Sequence, residues 1–190
     1  MKILNIFRDC STQFHGDEMT NNIVPGQVTP SLSLNTIKDN QWSLEGNLNK
    51  TKTMIIFYRG LHCPICCDFL KVIDNQLSDY KKSNTEVIAV SMDSKERALQ
   101  AKNDWNINNL IIAYGLTEDK AREWNLYISK SIKEAEADVF CEPGLFIIKE
   151  DGSLYLVNTS NMPFARPDVS SLPAKLLFAE EKQYPVRGNK

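Results

Sequence analysis

Five cysteines occur in the chain, and three of them crowd together as Cys63-Pro64-Ile65-Cys66-Cys67. A thiol attacks as its thiolate. An ordinary cysteine titrates near about 8.5, so a nucleophilic one needs an environment that lowers that value. A helix N-terminus supplies such an environment through unpaired N–H donors and a partial positive charge. Pro64 is the residue type favoured at the first helical position, because its missing N–H costs nothing there. Cys63 therefore falls at a helix N-terminus, and Cys66 lies one turn along the same face. That separation suits closure of a small disulfide ring, or resolution of an oxidised Cys63. Arg59 and His62 stand just upstream as cationic or hydrogen-bonding assistants. A C-x-x-C that follows a strand and opens a helix points to dithiol redox chemistry.

The remaining thiols and histidines are less organised. A closed zinc site needs four ligands, and Cys10, Cys141, His15 and His62 form no second pair in sequence, so neither a metal nor another cofactor is expected. Cys67 points away from Cys66 and reads as core filling. Cys10 reads as incidental. Cys141 precedes Glu142-Pro143-Gly144 at the start of a predicted strand; a buried structural thiol and a third redox thiol are both open there. His62 is open in the same way, between a plain loop residue and an assistant. Trp105 and Trp124 fall on the apolar faces of predicted helices and belong to the core.

The elements that must hold this site follow from the hydrophobic pattern. Thr53-Met54-Ile55-Ile56-Phe57-Tyr58 is a continuous apolar run, the pattern of a strand buried on both faces. Arg59-Gly60 ends it, and the helix opened by Cys63 repeats apolar residues at Cys66, Phe69 or Leu70, Ile73, Leu77 and Tyr80. Strands are predicted over 85–92 and 110–114. Asp93 and Glu96 have capping-box spacing for a helix running to about Trp105, and Thr117 caps another to about Leu126. Residues 144–149 and 153–157 flank Glu150-Asp151-Gly152, a hairpin signal. A last helix spans about 169–182 with Pro173 in its first turn. Ahead of these, 23–46 alternates turns with a short strand around Leu32 and Leu34. Alternating β and α units followed by a hairpin imply an α/β fold, a three-layer α/β/α sandwich around a mixed central sheet. Residues 1–22 are expected to form an N-terminal arm, and 23–190 a single domain.

Composition narrows the function classes. The chain has 190 residues, 42% of them hydrophobic, and a net charge of -2. It has no basic excess with which to neutralise phosphates, so nucleic acid is not an expected partner. No apolar run approaches the roughly 18 residues of a membrane span. The start, Met1 to Asp9, makes a poor secretory signal. An odd, clustered set of cysteines fits a reducing compartment better than a disulfide scaffold. A cytoplasmic location is expected.

Several segments together resemble the thioredoxin superfamily and, within it, the peroxiredoxin-like alkyl hydroperoxide reductase/thiol-specific antioxidant family. They are Ile23-Val24-Pro25-Gly26 through Leu34, Tyr58 through Cys66, Val87 through Ser94, Pro143 through Ile148, and Pro163-Phe164-Ala165-Arg166-Pro167. The resemblance covers about residues 23–185. It implies that Cys63 is the peroxidatic cysteine and that Pro143 is a cis-proline facing it, with Cys141 and Glu142 close by. Two positions depart from the family pattern. Gly60 stands where the family carries a threonine or serine, and Pro143 stands where it carries an arginine that Arg59 or Arg166 would have to replace.

The expected function is a thiol-dependent oxidoreductase. Cys63 attacks a peroxide or a disulfide, Cys66 resolves the product, and an external dithiol of thioredoxin or glutathione type resets the pair. A homodimer is compatible with the resemblance. Two rivals come from other classes. One is a copper-binding or copper-delivery module using Cys63 and Cys67, since soft thiolates suit Cu(I), although both histidines precede the helix. The other is a partner-binding relative without redox chemistry, in which Cys63 would titrate ordinarily.

Overall fold

The computed structural model describes residues 23–190. The expected N-terminal arm over 1–22, with Cys10 and His15, lies outside the described residues. Two short strands, β1 (Ser33–Asn35) and β2 (Gln41–Ser43), pair antiparallel as a small ribbon. The central strand β3 (Lys52–Phe57) leads into α1 (Pro64–Asn75) and α2 (Leu77–Lys82). Next come β4 (Thr85–Val90), α3 (Lys95–Asp104), β5 (Ile111–Ala113) and α4 (Glu118–Glu123). A second ribbon, β6 (Ile128–Lys130) with β7 (Val139–Cys141), precedes the hairpin β8 (Gly144–Ile148) and β9 (Leu154–Thr159). The helix α5 (Leu172–Glu181) follows.

The sheet order is β5-β4-β3-β8-β9. The β3–β4 and β4–β5 pairs are parallel, and the β3–β8 and β8–β9 pairs are antiparallel, so the sheet is mixed as expected. Side chains alternate across a strand, and β3 shows the consequence. Met54 and Ile56 enter a core with Leu70, Ile73, Tyr80, Ala98 and Leu176. Ile55 and Phe57 enter the opposite core with Trp42, Ala121, Trp124 and Phe146. Helices α1, α2, α3 and α5 thus share one face, while α4 and the β1–β2 ribbon cover the other. Both Trp105 and Trp124 are buried, as their periodicity predicts.

Three local expectations are corrected. The helix after Cys63 is not continuous to Tyr80. It breaks at Gln76, which leaves the helical region (φ −109°, ψ 8°) while its side chain donates to Ser170 O at 2.9 Å. The break follows Asp74, whose buried carboxylate accepts the backbone N–H groups of Asn108, Asn109 and Leu110. Secondly, the cap of α3 is Ser94, whose Oγ accepts from Arg97 N, and not Asp93. Thirdly, the β6–β7 ribbon has no counterpart in the sequence reading. Its strands are three residues each and are joined by 131–138, which carries no hairpin turn dipeptide.

Candidate active site

Cys63 is the N-cap of α1, with extended backbone at φ −103° and ψ 100°, and Pro64 opens the helix. Its Sγ accepts the Cys66 N–H at 3.3 Å. That is the cap bond a serine oxygen would make elsewhere, here given to sulfur. The hydrogen bond from the Cys66 thiol pulls the Cys63 pKa well below its ordinary value. The Cys66 backbone N–H and the charges of Arg166 and Arg59 add to the effect, against the opposing pull of burial. Cys66 moves the other way, raised by burial first and then by donating to Cys63. One thiol of the pair is thus set up as thiolate and the other as its proton-holding neighbour. Both are closed off, at 1% and 0% exposure.

Arg166 reaches this pair from the segment between β9 and α5. Its Nη2 donates to Cys66 Sγ at 2.8 Å and its Nη1 to Ile65 O at 3.4 Å, and its guanidinium lies 4.8 Å from the Phe69 ring centre. The contact joins residues a hundred positions apart, so no local pattern reveals it.

Arg59 and His62 lie against the β6–β7 ribbon. Phe140 is the platform, 4.7 Å from the Arg59 guanidinium and 4.6 Å from the His62 ring. Glu142 is buried, its Oε2 3.3 Å from Arg59 Nε, and its Oε1 accepts from Ser129 Oγ at 2.6 Å. Glu136 approaches Arg59 Nη2 at 3.8 Å. Burial, with the Arg59 charge next, lowers the His62 pKa, so the ring is neutral at neutral pH and lends Cys63 no cationic help. Phe140, Ser129 and Glu136 escape a sequence reading because the ribbon that carries them does. The one available signal was their closeness in sequence to Glu142.

Cys141 lies behind the site. It is fully buried and donates its S–H to Tyr58 O at 3.6 Å, and burial pushes its pKa up to about 12. Pro143 lines a small recess with Phe69, Arg166 and Pro167. The cis bond implied for it is absent: every described peptide bond is trans, including Glu142–Pro143. The trans backbone runs from β7 into β8 without a turn. It keeps the bonds on either side, Glu142 N to Tyr127 O at 2.7 Å and Ser160 N to Pro143 O at 2.9 Å.

The departure at Gly60 has a steric cause. Its φ of +120° lies where side chains are disfavoured, and a Cβ there would stand 2.7 Å from Asp93 Oδ2. A threonine or serine does not fit this turn. Cys67 is half-buried against the α1 core, in keeping with core filling. Among the described residues no cluster of three or more His, Cys, Asp or Glu side chains could hold a metal ion.

Residues 25–157 match the AhpC/TSA family model. A chain from Porphyra purpurea provisionally assigned as peroxiredoxin ycf42 is 26% identical over 145 residues, spanning 74% of this chain and 71% of its own length. The fold is similar to that of a peroxiredoxin-like protein from Aquifex aeolicus, with a TM-score of 0.66 at 18% identity over 81% of this chain and 86% of that one. It is also similar to a reduced 2-Cys peroxiredoxin from Plasmodium vivax, with a TM-score of 0.70 at 16% identity over 86% and 85%. The family match covers most of the chain and includes both site cysteines, and the fold agrees with it. The chain belongs to the AhpC/TSA family and is a thiol-dependent oxidoreductase of the thioredoxin fold.

Proposed function

We propose that the protein reduces small hydroperoxides with Cys63 as nucleophile and Cys66 as the resolving thiol. The Cys63 thiolate attacks the distal oxygen of the peroxide and the O–O bond breaks. The leaving alkoxide or hydroxide takes a proton from solvent, and Cys63 becomes a sulfenic acid. Cys66 then attacks that sulfur, water leaves, and a Cys63–Cys66 disulfide remains. An external dithiol of thioredoxin type, or two equivalents of a glutathione-type thiol, returns both thiols and is itself left as a disulfide. The cytoplasm, where such reductants act, is the proposed location.

The observation that carries this reading is a Cys63 sulfur that accepts the Cys66 backbone N–H at a helix N-terminus, yet is only 1% exposed. A molecule the size of hydrogen peroxide needs little opening to reach it, whereas a protein disulfide needs much. The C-x-x-C favours disulfide exchange as the second reading. Copper delivery draws no support from the family match. A lowered Cys63 pKa argues against a redox-inert relative.

The test is direct competition. One equivalent of hydrogen peroxide is expected to form the Cys63–Cys66 disulfide faster than oxidised insulin-type substrates do. In Cys66→Ser the same treatment is expected to leave a sulfenic acid on Cys63 that dimedone traps. Faster reaction with the protein disulfide would reverse the assignment.

A further inference from the structure

We propose that Asp93 is a positioning residue for this reaction. Its buried carboxylate accepts the Leu61 N–H and occupies the space beside Gly60, and so sets the turn that delivers Cys63 to the start of α1. The proposal rests on the reading of Cys63 as nucleophile and extends it to a residue outside the cysteine motif.

The geometry is specific. Asp93 follows the end of β4 and is 2% exposed. Its Oδ2 accepts Leu61 N at 2.7 Å, and its Oδ1 accepts Arg97 Nε at 2.8 Å. The turn it holds is closed by Cys63 N donating to Gly60 O at 3.1 Å. Leu61 N–H thus fixes one side of a short turn whose other end is the nucleophile itself. A carboxylate buried to this degree is costly unless paired and hydrogen-bonded. Here it is both, so its place is firmly set.

The ordinary role for an acid just before a helix is to cap it. Ser94 already caps α3, which leaves the Asp93 side chain free to turn back toward the 59–63 loop. Gly60 shows the same arrangement from the other side. Any Cβ at residue 60 would sit within 3 Å of three atoms of this carboxylate. Arg97 extends the link further, since its Nη2 donates to Ala135 O at 3.2 Å, in the segment joining β6 and β7. One carboxylate therefore ties the nucleophile's turn, α3 and the ribbon over Arg59 together.

A purely electrostatic role predicts the opposite sign from a positioning role. A negative charge near a thiol disfavours its thiolate, so removing a charge that acted alone would lower the Cys63 pKa. Removing a support for the helix-N-terminal geometry would raise it. The groups facing Asp93 that enter this balance are Arg97 on α3, His62 in the loop, Tyr58 after β3 and Cys141 at the end of β7.

The deciding measurement is a pH titration of Cys63 in the reduced full chain, followed by the 13C chemical shift of its labelled Cβ. It needs neither substrate nor an open site. In Asp93→Ala the midpoint is expected to move up by about one pH unit, from about 6 toward the ordinary value near 8.5, with about a twofold loss of peroxide rate at pH 7 that shrinks as pH rises. Asp93→Asn keeps an acceptor for Leu61 N–H and is expected to titrate like the parent. If Asp93→Ala does not fold, Asp93→Ser, whose hydroxyl is too short to reach Leu61, replaces it with the same expectation. A midpoint lowered in either variant, or left unmoved in Asp93→Ala (or in Asp93→Ser where it replaces it), overturns the proposal. A low parent midpoint without peroxide turnover would instead overturn the assigned substrate and leave Asp93 to its own titration. A parent midpoint near 8.5 would overturn both.

Discussion

Cys63 and Cys141 are both buried thiols at the same end of the sheet, and their surroundings make them chemical opposites. Cys63 accepts hydrogen bonds: the Cys66 N–H points at its sulfur, the Cys66 thiol donates to it, and two arginines add positive charge. Cys141 gives its own proton to the Tyr58 carbonyl and sits beside the Glu142 carboxylate. Burial alone disfavours the charged form of any thiol. What separates the two is the direction of the hydrogen bonds and the sign of the nearest charge. A reactive cysteine is thus built from donors, and exposure is a poor guide to it.

The sharpest way to break the contrast is to remove each sulfur in turn. Cys63→Ser is expected to lower peroxide reduction at least about a thousandfold, since loss of a nucleophile removes the covalent route altogether. Cys141→Ala is expected to keep activity close to the parent and to cost about 1 kcal/mol of stability, as a small buried hydrophobe does. Steady-state peroxide consumption and chemical denaturation read the two effects. A large activity loss in Cys141→Ala would make it a third redox thiol.

The donors around the pair come next. Arg166→Met keeps the bulk over Phe69 and removes the guanidinium bonded to Cys66 Sγ. A charge-assisted hydrogen bond contributes about 1.5–3 kcal/mol, so the rate of disulfide formation after oxidation is expected to fall by about ten- to a hundredfold. Stopped-flow trapping of the sulfenic acid on Cys63 would show it accumulating. Unchanged resolution would mean that Arg166 serves packing only.

These contrasts also show what sequence carries and what it does not. Cys63, Pro64 and Cys66 are legible because capping and helical spacing are local. The β3 strand and the β8–β9 hairpin are legible because an apolar run and a glycine turn are local too. The β6–β7 ribbon is not, since its three-residue strands carry no period and gain their stability from packing beside Arg59 and His62. Arg166 and Asp93 reach the cysteine helix across long stretches of chain, a matter of topology and not of spacing. Asp93 was even visible as a helix-start residue, yet the cap went to Ser94. The cis-proline came from resemblance alone, and the continuous trans backbone between β7 and β8 replaces it.

Gly60 tests the steric half of the site. Gly60→Ala introduces a Cβ 2.7 Å from a buried carboxylate oxygen at a φ of +120°. Strain of this kind costs about 1–3 kcal/mol. The expected result is a lowered denaturation midpoint, with the Cys63 titration moving up as well. A variant as stable as the parent would mean that the turn shifts freely and that Asp93 does not hold it.

The most direct comparison of the two thiols is through pH, because their linkage to stability has opposite sign. Cys63 has a folded pKa below its unfolded value of about 8.5. Between those two values the unfolded chain binds more protons, so this group makes stability rise with pH; its contribution is complete above about 8.5 and lost as pH falls through the folded value. Cys141 has a folded pKa pushed up to about 12. Above about 8.5 the unfolded chain loses that proton while the folded chain keeps it, so stability falls as pH rises further. Thermal unfolding of the reduced protein from pH 5 to 10 is therefore expected to climb and then decline. Cys63→Ala flattens the climb and Cys141→Ala flattens the decline. A pair of variants that altered the same limb would show that the two sulfurs do not differ as their hydrogen bonds require.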